Sequence, residues 1–142
     1  MKKSVIIVIA LIYVTAIALV SFIGLNPKTY NQNIYVESIK ITSDREIKKI
    51  QGEDTIHFIN EFKADGTRTV QLNCEVVPDN ATNKKVNFTL EKENTYATVD
   101  ENGLITITTP GTHVFPVFIT ADDNTSISYK IIISAVDTSD FE

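Results

Sequence analysis

Thr69-Val70-Gln71-Leu72-Asn73-Cys74-Glu75-Val76-Val77 decides how the folded part of this chain is built. Val70, Leu72, Cys74 and Val76 fall on one side of the alternation, and Gln71, Asn73 and Glu75 on the other. Successive strand residues face opposite ways, so the pattern predicts a strand with one buried and one wet face. The same period spreads in both directions, over residues 34–42, 56–59, 86–90, 97–99, 104–107, 114–119 and 127–135. Asp65-Gly66, Pro78-Asp79-Asn80, Asp100-Glu101-Asn102-Gly103, Pro110-Gly111 and Asp122-Asp123-Asn124 separate the runs with residues that suit turns. About seven to eight short strands in roughly 110 residues predict one all-β, two-layer sandwich of antiparallel sheets. Asn102-Gly103 is expected to supply the positive-φ pair of a tight hairpin. Pro116 cannot donate to a ladder, which predicts a bulge or an outward-facing edge position. Residues 43–68 read as either an added edge strand or an extended loop.

The first thirty residues are a different material. Residues 5–25 read VIIVIALIYVTAIALVSFIGL, without a charge. As a helix this run is about 32 Å long at roughly 1.5 Å per residue, enough for a bilayer core of about 30 Å. The hydroxyls of Tyr13, Thr15 and Ser21 are tolerated there if they bond back to the helix or reach an interface. Asn26-Pro27 is expected to stop it. Two readings compete. Lys2, Lys3 and the small-x-small site Ala16-Ile17-Ala18 fit a cleaved signal peptide, but the apolar run continues beyond Ala18 to Leu25, which favours an uncleaved signal anchor. Lys2 and Lys3 place the N-terminus in the cytoplasm, opposed only by Lys28 on the outer side. No cysteine near the end of the run supports a lipoprotein anchor, and the C-terminal AVDTSDFE has no apolar tail.

Composition narrows the class further. A chain of 142 residues, 43% apolar and 22% charged, is sized for one domain and is neither collagen-like nor wholly disordered. Removing Lys2, Lys3 and Lys28 from 13 basic side chains leaves 10 against 18 acidic ones, a net −8 for residues 31–142. That balance argues against a nucleic-acid partner. One cysteine makes no intramolecular disulfide and no Cys-based zinc site.

Two blocks carry a family resemblance. Val77-Pro78-Asp79-Asn80-Ala81-Thr82-Asn83-Lys84-Lys85-Val86 and Ala97-Thr98-Val99-Asp100-Glu101-Asn102-Gly103-Leu104-Ile105-Thr106 are followed by Pro110-Gly111-Thr112 and Tyr129-Lys130-Ile131-Ile132-Ile133-Ser134. Together they resemble the bacterial Ig-like domain of group 2 (BIG2), the module of intimin- and invasin-type surface proteins. The likeness covers roughly residues 34–136 and is densest over 76–112. Phe88 stands where the family usually has Trp, Pro110 replaces the usual Ala, and the 43–68 segment is longer than the family norm. The resemblance implies an Ig-like β-sandwich used for spacing, adhesion or protein contact, with no catalytic residues.

The residues that could carry chemistry have plainer readings. His57 and His113 lack a spacing motif for catalysis or metal binding and read as ordinary strand or turn residues. Cys74 lies on an apolar strand face and reads as an inert core thiol. The acidic tips Asp100-Glu101-Asn102 and Asp122-Asp123-Asn124 lack a calcium-ligand ladder and read as turns. Arg45, Lys48 and Lys49 read as a solvated edge strand. Tyr30, Tyr35, Tyr96 and Tyr129 are the aromatics available to a carbohydrate ligand, though they do not cluster in sequence.

The expectation is therefore an Ig-like sandwich preceded by one transmembrane helix: residues 1–4 cytoplasmic, 5–25 signal anchor, 26–33 linker, 34–136 sandwich and 137–142 polar tail. No catalytic, cofactor or metal site is expected. The expected function is non-enzymatic, through contact between an extracellular domain and a membrane-proximal envelope protein. The alternative is a cell-wall polymer/carbohydrate-binding or adhesion module, secreted if the leader is cleaved.

Overall fold

The computed structural model describes residues 2–24 and 32–141. The predicted end of the apolar run at Leu25, the helix stop at Asn26-Pro27, most of the linker, and Lys28 and Tyr30 lie outside the described residues. The chain divides into two compact units, residues 1–32 and 33–142.

In the first unit, helix α1 runs over Lys3–Gly24. It is long and apolar enough to cross a membrane. The Thr15 hydroxyl donates back to the carbonyls of Leu11 (3.0 Å) and Ile12 (2.9 Å), so this polar group is satisfied within the helix.

The second unit is an all-β sandwich. Its strands are β1 (Ser38–Ser43), β2 (Ile47–Ile50), β3 (Glu53–Ile59), β4 (Arg68–Val77), β5 (Val86–Leu90), β6 (Ala97–Val99), β7 (Leu104–Ile107), β8 (His113–Ala121) and β9 (Ser128–Val136). One sheet has the order β1-β4-β7-β6 and the other β2-β3-β9-β8-β5. Setting aside the β2–β3 hairpin, this is the ABED and GFC arrangement of an immunoglobulin constant-type sandwich. A single apolar core joins the sheets. Val70, Leu72, Ile105 and Ile107 come from the first, and Ile56, Val117, Ile119, Ile131 and Ile133 from the second, all fully buried.

The alternation seen in sequence survives on β4, β5, β8 and β9, whose inward residues are the apolar ones apart from Arg68 at the start of β4. Four details differ from expectation. There is one more strand than anticipated, β2, in the segment left open between strand and loop. It pairs with β3 through a two-residue turn in which Gln51 (φ 53°) and Gly52 (φ 87°) both take positive φ. The sheets are not wholly antiparallel, because β3 runs parallel to β9, with Thr55 opposite Ile132 and Ile59 opposite Val136.

Pro116 makes no bulge, since the β8–β9 register is continuous from His113↔Ala135 to Thr120↔Ser128. Its edge character is local. β5 reaches only as far as Leu90, opposite Val117, so Pro116 lies just past the end of that ladder. The β6–β7 hairpin also departs from a positive-φ pair, because only Gly103 (φ 79°) lies in the left-handed region. Gly103 N–H donates to the Asp100 carbonyl and Asp100 N–H to the Leu104 carbonyl, both at 3.1 Å. That is a three-residue loop ending on a left-handed glycine.

Gly103 is constrained twice. A Cβ built there would lie 2.6 Å from the Leu72 carbonyl oxygen and 2.8 Å from the Phe88 ring, while one on Gly66 (φ 80°) would meet nothing within 4 Å. Gly66→Ala should cost about 1 kcal/mol from backbone strain alone. Gly103→Ala should cost about 3 kcal/mol, because the clash adds to the same strain. Urea unfolding of the full chain separates the two; equal costs would mean that the close approach to β4 does not constrain the turn.

Candidate interaction surfaces

At the pole of the sandwich where the chain arrives, Asp123 is buried and its carboxylate is fully occupied. One oxygen accepts the Val36 N–H at 2.6 Å, and the other accepts the Thr125 N–H (3.1 Å) and hydroxyl (2.5 Å). The Thr125 hydroxyl and the Val36 amide hold its pKa below the usual carboxylate value. Ile34 and Thr82 exchange two bonds beside it, with the Ile34 N–H on the Thr82 hydroxyl and the Thr82 N–H on the Ile34 carbonyl, both 2.8 Å. Asp123 thus pins the incoming chain to the β8–β9 loop. Asp100 works similarly, accepting the N–H groups of Asn102 (2.9 Å) and Leu104 (2.8 Å). In both acidic tips a carboxylate is spent on turn geometry. No group of three or more His, Cys, Asp or Glu side chains among the described residues is arranged to hold a metal ion.

The opposite pole contains a feature that the sequence reading missed. Arg68, the first residue of β4, is fully buried. Its Nη2 donates to the carbonyls of Gly111 (2.6 Å) and Thr109 (3.3 Å), and its guanidinium lies 4.8 Å from the Phe62 ring centroid. Burial pushes its pKa down, against the charges of Asp137 and Asp140. The stretch read as a polar tail is built into this pole. Asp137 is buried and accepts from Gly111 N–H (3.2 Å), Ser139 N–H (3.0 Å) and the Ser139 hydroxyl (2.6 Å). A 3-10 turn, Thr138–Phe141, follows, with the Thr138 N–H on the Asn60 side chain at 2.8 Å and the Thr112 N–H on Asp140 at 2.6 Å.

The two histidines are separate. His57 is exposed on β3, with Nδ1 3.1 Å from the hydroxyl of Ser134, its register partner on β9. His113 stacks on Tyr96 with ring centroids 4.4 Å apart, and its Nε2 lies 2.9 Å from the Pro110 carbonyl. Cys74 faces the core but is half-buried, not enclosed, and burial pushes its thiol up to about 11. Such a thiol carries little thiolate at neutral pH.

The basic cluster divides. Lys48 and Lys49 lie exposed on edge strand β2, Lys49 3.5 Å from Asp54. Arg45 instead ties the sheets together: it donates to the Thr69 carbonyl on β4 at 3.1 Å, pairs with Glu61, and lies 4.2 Å from the Phe58 ring centroid. The tyrosines do not converge. Tyr96 is stacked on His113, Tyr129 donates to Asp54 and is half-buried, and Tyr35 is exposed near the arrival pole.

A few large apolar side chains stand among the polar groups of the sandwich surface. Ile50, Ile59 and Val114 are exposed on the five-stranded sheet, Val114 at 59%. Ile50, Thr55, Val114, Ile132 and Ser134 line a groove of about 460 Å3 on its outer face. No family model matches the chain, and no curated protein matches it.

Two outcomes follow from the poles. Arg68→Ala should cost roughly 2–4 kcal/mol, through a cavity and two orphaned carbonyls; a loss below about 0.5 kcal/mol in urea titration would make Arg68 a passive filler. Asp123 and Asp137 both have lowered pKa values, so their stabilisation is complete above the unfolded carboxylate value, near about pH 4, and fades as pH falls through their folded values. Asp123→Asn should flatten the loss of stability between about pH 4 and pH 2; an unchanged acid limb would assign that loss to other groups.

Proposed function

We propose that the protein is a membrane-anchored, outward-facing module of bacterial Ig-like type (BIG2) that acts without catalysis, by contact with a second envelope protein near the bilayer. The observation that carries this reading is the pairing of an apolar helix of membrane-spanning length with a sandwich that displays Ile50, Ile59 and Val114 to solvent. Ile50 and Val114 also line the groove on that sheet's outer face, and exposed apolar groups beside a groove are a usual mark of a contact surface. Orientation rests on Lys2 and Lys3 preceding the apolar run. The residues between Gly24 and Asn33 reach about 30 Å at most when fully extended, which favours a partner close to the membrane. The Ig-type strand order is compatible with the resemblance carried by residues 76–112. A polymer-binding role has less support, because Tyr96 and Tyr129 are engaged within the sandwich and Tyr35 lines a different groove, beside Asp123.

A full-length chain tagged at its C-terminus and expressed in a bacterial host provides the test. Protease added to intact protoplasts should remove the tag; a tag protected until lysis would overturn the orientation. Cross-linking in the same cells should capture one dominant membrane protein, and Val114→Asp should reduce that capture several-fold. Equal capture by both forms would exclude the outer face of the five-stranded sheet as the contact.

A further inference from the structure

Burial along β4 changes abruptly. Val70 and Leu72 are fully buried, whereas Cys74 and Val76, on the same inward face, are only half-buried. The change falls where β7 stops. β7 is registered with Arg68 to Gln71 of β4, and the turn beyond it adds one more bond, from Leu72 N–H to the Gly103 carbonyl at 2.9 Å. The Leu72 carbonyl is taken by the Gln71 side-chain amide at 2.8 Å. Past this point β4 keeps β1 on one side and, among the described residues, has no strand on the other.

The direction of the free backbone groups follows from strand parity. Residues of a strand in an antiparallel ladder alternate in which neighbour they bond. Asp44 N–H donates to the Gln71 carbonyl on the β1 side, and Leu72 N–H donates towards β7. Asn73, Glu75 and Val77 therefore face β1. The amides and carbonyls of Cys74 and Val76 face the unfilled side and bond no backbone group among the described residues. The core is incomplete along the same line: Cys74, Val76, Val86 and Phe88 pack against it yet stay half-buried. Grooves of about 570 Å3 and 240 Å3 meet at Cys74, the first bordered by Lys40 and Lys84, the second by Phe88 and Glu101.

We propose that this opening receives an extended segment of a partner protein, which adds as a strand beside Asn73 to Val77 of β4. The inference rests on the contact reading and names the chemistry of the partner. An extended polypeptide presents donors and acceptors in a row at strand spacing, as the free groups of Cys74 and Val76 require. Five residues of open edge, about 17 Å, set the length of the segment. Its alternate side chains cover Val86 and Phe88 and are apolar; the others face water. Asp100 and Glu101 outnumber Lys85 at one end of the opening, so a basic residue belongs there.

The test uses the purified full chain in detergent and a displayed library of random nine-residue peptides. Enriched peptides should carry apolar residues at alternating positions. A synthetic copy of one should slow amide exchange at Cys74 and Val76 by about tenfold or more, and shield the Cys74 thiol from a maleimide. N-methylation of the peptide residues that bond Cys74 and Val76 should weaken binding by about tenfold, while methylation at the intervening positions leaves it unchanged. Absence of enrichment, enriched peptides that leave both amides unaffected, or amides already protected in the free chain would each overturn the proposal. These readouts depend on neither membrane orientation nor an envelope partner. They can therefore fail while the contact role stands, and hold if the outer sheet face proves inert.

Discussion

β4 has to satisfy two neighbours in succession. Its first half bonds β7 and its second half bonds β1, and the inward residues Val70 and Leu72 form the floor on which both sheets close. Shifting β4 by one residue would send Gln71 and Asn73 into the core, so its register is strongly specified. The short β6–β7 hairpin depends on the same strand, because Gly103 approaches the Leu72 carbonyl and the Phe88 ring more closely than any side chain would permit. The incomplete cover over Cys74 and Val76 arises from one mismatch: β4 spans ten residues and β7 four.

The poles are closed by charged groups doing structural work. Asp123 fastens the arriving chain through the Val36 amide, and Asp137 and Arg68 organise the departing one. Burying a charge is tolerated when several bonds meet it, and Asp123 and Asp137 each accept three. Arg68 is less completely served, since its Nε and Nη1 have no partner among the described residues. The Phe62 ring and the two nearby aspartates offset part of that cost.

Period-two alternation made most of the sandwich legible, because each strand buries one face and that requirement is written residue by residue. The exceptions have local causes. β2 was obscured because Ile47-Lys48-Lys49-Ile50 is an edge strand with little to bury; its signal was the Gln51-Gly52 pair, set between two strands at the spacing of a two-residue hairpin. The parallel pairing of β3 with β9 leaves no mark on either strand alone. Arg68 looked like the polar start of an apolar strand, and its burial depends on Phe62 from the adjoining β3–β4 loop and on Thr109 and Gly111 from the distant β7–β8 loop. Cys74 and Val76 read as core because their alternation is faultless. Only the length of the neighbouring strand decides that they are half open.

The chain enters the sandwich beside Asp123, at the start of β9, and leaves it past Val136, at the other end of the same strand. A pull on the two ends of the sandwich therefore acts along the strands, with β3 and β9 running parallel between the points of load. Tension in that direction shears a whole ladder of hydrogen bonds at once instead of peeling them one by one. In that geometry Asp123 holds one end of the ladder and the Asp137–Arg68 cluster the other, so tension between them meets bonds in parallel.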